Sequence, residues 1–263
     1  MWRQPDSSAS IVAQAWNGNT GGIIAFRAKG KVTINGLIDT TGQGFRAGTS
    51  MLGAPITSFQ GESHRGLGIQ SRSQNNGAGG GSSTAPVCST ASGGMAAYVT
   101  PASGTGIGLF CCSALPASPG IAIPVTALSD FILGPGGGGS AWDLCSGFSF
   151  PPAGAGGGMI FIEAYELEIS GTGSIRANGQ DGLDNTSPVQ LGASGAGGSI
   201  YIRANSLNTG LNQITALGGS TPNIPSIAGS GPIRVDFVSG SFSTNPGIGF
   251  GSTTTTAKSP LEQ

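Results

Sequence analysis

The chain has 263 residues, a formal net charge of −1 and 49 glycines, a glycine content more than twice the usual ~7%. Only 9% of residues are charged while 37% are hydrophobic, which excludes ordinary disorder, since that pairs high charge with low hydrophobicity. No Gly-X-Y period supports collagen, no basic run gives nucleic-acid binding electrostatic support, and no apolar stretch approaches the ~20 residues of a membrane-spanning helix.

Residues 1–20 read as an entry segment. Met1-Trp2-Arg3-Gln4-Pro5-Asp6-Ser7 lacks the apolar run of a secretory signal, so the expected routes are removal of a signal or assembly into a particle in a host cytoplasm. Trp16 stands just before the first repeat. Residues 21–46 form a first unit: Gly21-Gly22-Ile23-Ile24-Ala25-Phe26-Arg27-Ala28, then Val32-Thr33-Ile34-Asn35-Gly36-Leu37-Ile38. Residues 47–156 are a long insertion rich in Gly, Ser, Ala and Pro, read as loop-rich, with runs at Gly77–Gly81 and Gly136–Gly139. Ala122–Phe131 is its best, weak helical candidate. Residues 157–237 hold two further units and a closing strand. One unit begins Gly157-Gly158-Met159-Ile160-Phe161-Ile162-Glu163-Ala164 and the next Gly197-Gly198-Ser199-Ile200-Tyr201-Ile202-Arg203-Ala204; the strand is Ile233-Arg234-Val235-Asp236-Phe237. Residues 238–263 form a C-terminal tail.

A unit of this size cannot bury its own apolar face and must stack on its neighbours. The predicted class is therefore all-β: a glycine-rich parallel β-solenoid, β-helix-like, with short strands and the long insertion. Period-two alternation places Ile24, Phe26 and Ala28 on one face, with Ile160, Ile162, Ala164 and Ile200, Ile202, Ala204 in the same places. Arg27, Glu163 and Arg203 fall in the outward register, so stacking would pair Glu163 with Arg203. Each small alanine is read as a bend. The glycine runs either pack as extended segments or form flexible loops, and the sequence leaves these alternatives open.

The stretches 197–204, Gln213-Ile214-Thr215-Ala216-Leu217-Gly218-Gly219 and Gly231–Phe237 resemble the glycine-rich β-solenoid repeats of phage fibre or virion proteins and bacterial surface proteins. Thr20–Gly48, with Gly42-Gln43-Gly44-Phe45-Arg46, and Gln60-Gly61-Glu62-Ser63 are similar to an earlier part of the same proteins. Residues 82–134, with Cys111-Cys112 and several prolines, are less glycine-dense than the family's middle region. The resemblance implies the architecture and brings no catalytic residues.

Candidate chemistry is sparse. The single histidine, His64, has no Gly-x-Ser-x-Gly elbow to serve and reads as a loop residue. Glu163, Glu166, Glu168, Asp181 and Asp184 are the acids a polysaccharide-cleaving enzyme would use; a solvated outer face is the plainer reading. Asn178–Asn185 offers oxygens that would suit calcium but matches neither an EF-hand nor the nonapeptide repeat, so no cofactor and no metal is expected. Gly134-Pro135-Gly136-Gly137-Gly138-Gly139 fits G-x-G-x-x-G only formally, because no helical pattern follows. The four cysteines, Cys88, Cys111, Cys112 and Cys145, match no zinc spacing. Unpaired core thiols are expected, with a disulfide of Cys145 to Cys111 or Cys112 as the alternative.

The expected function is structural: a self-assembling exterior component of a virion, such as a phage fibre, spike or decoration protein, made in the host cytoplasm. Its partners would be further copies, as a trimer or filament, and other virion proteins, without nucleic acid or a membrane span. Trp16, Trp142, Phe148 and Phe150 are the candidate assembly contacts. One alternative is an adhesin at the virion, the cell surface or outside the cell, binding a host glycan or protein through its glycine-rich loops. The other is a polysaccharide-degrading β-helix enzyme.

Overall fold

A computed structural model describes residues 9–53, 56–64, 72, 78–85, 90–103, 108–109, 117–123, 131–142, 152–182, 184–185, 190–221 and 227–243. These residues are all-β, without a helix; most of the helical candidate, 124–130, lies outside them. Two four-stranded sheets face each other. The long sheet runs Ile23–Ile34, Met159–Ile169, Ser199–Asn208 and Ile233–Ser241 in spatial as well as chain order, every pair parallel. The short sheet runs Ser10–Val12, Leu37–Asp39, Ser174–Arg176 and Ile214–Thr215, again all parallel. The chain alternates between them, long strand, corner, short strand, an arrangement consistent with a parallel β-solenoid.

The core lies between the sheets and follows the predicted alternation. Ile160 stacks between Ile24 and Ile200, and Ile162 between Phe26 and Ile202. Ile160, Ile162, Leu167, Ile200, Ile202 and Leu207 are fully buried, and Ile38, Ile175 and Ile214 meet them from the short sheet. The alanine does not end the strand. Each unit's two apolar stretches join into one long strand, and between Ala28 and Lys31 the first strand carries one more residue than the second does between Ala164 and Glu166, the mark of a bulge. Leu167 and Leu207 return to the core three residues beyond Ala164 and Ala204, and Val32 four residues beyond Ala28. Corners at Gly171 (φ 58°) and Asn212 (φ 60°) use the left-handed region, which glycine and asparagine tolerate best.

The glycine runs pack; they are extended segments bonded to one another. The Gly136 N–H donates to the Glu62 carbonyl at 3.0 Å, Gly137 to Gly154 at 2.9 Å, Gly138 to Gly94 at 2.9 Å, and Gly139 to Phe59 at 2.8 Å, back on the first segment. Gly195 and Gly198 likewise both donate to the segment 177–180, while Ala196 and Gly197 donate to Pro135 and Gly229. A direction that repeats every third residue is the signature of a three-residue-per-turn extended helix, which has no internal hydrogen bonds and must find its partners in its neighbours. Each turn therefore has a contact on all sides. A Cβ at Gly136, Gly137 or Gly138 would land on the carbonyl oxygens of Arg46, Ala193 and Gly81 respectively, which is why the run has to be glycine. Parts of the insertion, 78–83, 91–98 and 133–141, are mostly buried in this bundle. Two-residue strands continue it away from the stack: Ala141–Trp142 beside Met51–Leu52 and Thr90–Ala91, and Ile56–Thr57 beside Thr84–Ala85.

Candidate assembly site at the open ends of the stack

The outer face of the long sheet carries an alternating charged row. The register aligns Arg27, Glu163, Arg203 and Asp236. Glu163 lies 3.5 Å from the Arg27 guanidinium and 4.0 Å from that of Arg203, the pairing that the register predicts. Beyond the bulge, Lys31 contacts Glu166 at 2.9 Å and Glu168 at 2.8 Å. Those hydrogen bonds hold the Lys31 ammonium well above its ordinary pKa. At the far edge, Asp236 is gripped by Arg234 at 2.8 Å and by the Tyr201 hydroxyl at 2.8 Å. Arg234 lies over the Tyr201 ring, and Phe131 stacks on the same ring with centroids 5.3 Å apart. Burial, then the Asp236 carboxylate, raises the Tyr201 phenol above its usual value.

The two sheets do not end level. At the first end the short sheet projects by one strand, Ser10–Val12, with no long strand beside it among the described residues. At the last end the long sheet projects by one strand, Ile233–Ser241, with no short strand beside it among the described residues. The first end consequently exposes core. Ile24, Phe26, Ala28 and Val32 are only partly buried, whereas their counterparts Ile160, Ile162, Ala164 and Leu167 are fully buried. Ile11 and Val12 are 57% and 56% exposed. A cavity of about 140 Å³ opens there, with walls that include Ala9, Ile11, Phe26, Val32, Ile34 and Leu37. It occupies the place where a further long strand would put its inward side chains.

Two of the four aromatic candidates lie among the described residues. Trp16 is half-buried and meets Phe45 edge-on at 6.0 Å, on the bundle side of the first end. Trp142 is half-buried in the small sheet beside Leu52 and Thr90. Phe148, Phe150, Cys111, Cys145 and the other two cysteines lie outside the described residues. The residues that line the open end were missed because 1–20 read as a mere entry. The available signal was Ser10-Ile11-Val12, a short stretch of the same length as Leu37-Ile38-Asp39.

Asn178, Gln180, Asp181 and the Gly134–Gly139 segment are tied into the scaffold, and the Asp184 side chain lies outside the described residues. The Asn178 and Gln180 side-chain oxygens accept backbone N–H groups from Leu217 and Ala155, and Asp181 accepts from Ser220 at 2.7 Å. The described residues hold no cluster of three or more metal-binding side chains. The amides of Gly134 and Gly136–Gly139 all bond to neighbouring carbonyls, and the strand Ala141–Trp142 follows them. His64 is exposed at a bend. Glu62, near it, is held by Arg46 through its backbone N–H at 3.1 Å and its guanidinium at 3.0 and 3.2 Å. Burial pushes the Glu62 carboxyl up, but these bonds outweigh it and leave the pKa below the ordinary value. No described helix is long and apolar enough to cross a membrane. Comparison of the chain with protein-family models, curated proteins and solved structures finds no match.

Proposed function

We propose that the protein is a glycine-rich parallel β-solenoid that works as a self-assembling structural component of a virion exterior, such as a phage fibre, spike or decoration protein. The observation that carries this reading is the pair of open, staggered ends: among the described residues each leaves a strand edge without a neighbouring strand, and the first also leaves part of the core uncovered. Edges of this kind associate unless they are covered, and stacked repeats need caps at both ends. The repeat resemblance supports the setting. The protein is read as non-catalytic, because the clustered carboxylates Glu163, Glu166 and Glu168 each have a cation in contact. Charge pairing across the outer face suits a rigid rod better than acid–base chemistry.

Light scattering of the purified protein over a range of concentrations, with a binding assay against the other proteins of the particle, tests this. Defined assemblies, or a stable complex with a particle protein, are the expected result. A monomer at high concentration that binds none of them overturns the reading.

A further inference from the structure

Resting on that assembly reading, the staggered ends also identify the partner. We propose that a second copy of this chain docks head to tail, its closing strand Ile233–Ser241 filling the missing half-coil beside Ile23–Ile34. Ser10–Val12 of the first copy then supplies the short strand of that same coil. One copy brings the long half and the other the short half, and together they make a complete turn of the stack.

The hydrogen-bonding phase fits. The Met159 N–H donates to Gly22 and the Ile200 N–H to Pro232. In a parallel ladder these phases turn the N–H and C=O groups of Ile23, Ala25 and Arg27 outward at the first edge, and those of Ile233, Val235 and Phe237 outward at the last. Continuing the rows of the sheet, the Ile233 N–H of the second copy meets the Ile23 carbonyl, and the Ala25 N–H meets the Ile233 carbonyl.

The side chains fit as well. The same rows set Ile233 beside Ile24, Val235 beside Phe26 and Phe237 beside Ala28, so the largest group of each strand meets a smaller one. The charged row alternates Arg27, Glu163, Arg203, Asp236, and the next place beside Arg27 calls for an anion. Asp236 is the residue that the last edge puts there. Joining two first ends instead would bring their Arg27 edges together and leave both short strands without a long one. Residues 1–8 do not carry the alternating apolar pattern of the long strands.

Two end-blocked variants test polarity and partner together. Phe26→Glu places a charge in the first end, and Phe237→Glu places one in the last. By analytical ultracentrifugation the parent forms a concentration-dependent series, and each variant alone is a monomer. The two mixed form a one-to-one dimer and nothing larger, since one compatible pair of ends remains; that dimer also shows that both variants are folded. Arg27→Glu, at an exposed side chain and with native circular dichroism as the check on folding, weakens association at least tenfold. A parent that stays monomeric, a variant that still dimerises with itself, or an Arg27→Glu protein that associates as well as the parent overturns the proposal. Binding of a monomeric parent to another particle protein would overturn self-stacking yet leave the structural reading standing.

Discussion

At the scale of single residues, glycine in this chain is a packing residue before it is a flexible one. Gly138→Ala drives a Cβ onto the Gly81 carbonyl, and backbone has no rotamer with which to move aside. A loss of about 1–3 kcal/mol or more is expected in urea unfolding. Gly30→Ala is the control: a Cβ there meets nothing within 4 Å. That substitution should leave stability within about 0.5 kcal/mol of the parent or raise it slightly, by restricting the unfolded chain. Glu62 offers a test by pH. Its folded pKa lies below the ordinary 4.5, so its contribution is complete above the unfolded value and is lost as pH falls through and below 4.5. Acid unfolding of the parent should show this slope, and Glu62→Gln should flatten it. Tyr201, shifted the other way, should ionise above the ordinary 10.0 in an ultraviolet titration. A phenol with a raised folded pKa costs stability as pH climbs beyond the unfolded value.

At the scale of elements, burial rises from the first edge of the stack inward. Ile162 is fully buried between two neighbours, while Phe26 in the same row has one. Ile162→Ala should cost about 2–5 kcal/mol by leaving a cavity. Phe26→Ala, although it removes a larger group, should cost the isolated chain less than Phe→Ala in a sealed core. Thermal melts of the two variants at low protein concentration make the comparison.

The alternation Ile24-x-Phe26-x-Ala28 and its two repeats fixed the inward face and the Glu163–Arg203 alignment, because period two leaves only one face for the core. The bulge after Ala28, and the continuation of each strand past its alanine, were not legible. The pattern simply breaks there, and a break reads the same whether a strand ends or steps sideways. The glycine runs were ambiguous for a related reason. A residue with no side chain carries no face, so nothing in Gly136–Gly139 says which neighbour each amide will meet. The open end was hidden because its short strand, Ser10–Val12, is built from a stretch too brief to stand apart from the entry around it.

At the scale of the molecule, two sheets and a glycine bundle form one stack whose ends differ by half a coil. Among the described residues a long strand lacks its short strand and a short strand lacks its long one, and in the proposed stack the two ends complement each other in shape, hydrogen-bonding phase and charge. Each copy added to such a stack contributes four levels of long strand, and strands in a sheet are about 4.8 Å apart, so the axial repeat would be about 19 Å. The direct measurement is cryo-electron microscopy of the purified protein at high concentration, with a power spectrum of the images. Rods with a meridional spacing near 4.8 Å and an axial repeat of about 19 Å are the predicted result. Discrete particles without an axial repeat, or rods whose repeat is unrelated to four strand spacings, would contradict it.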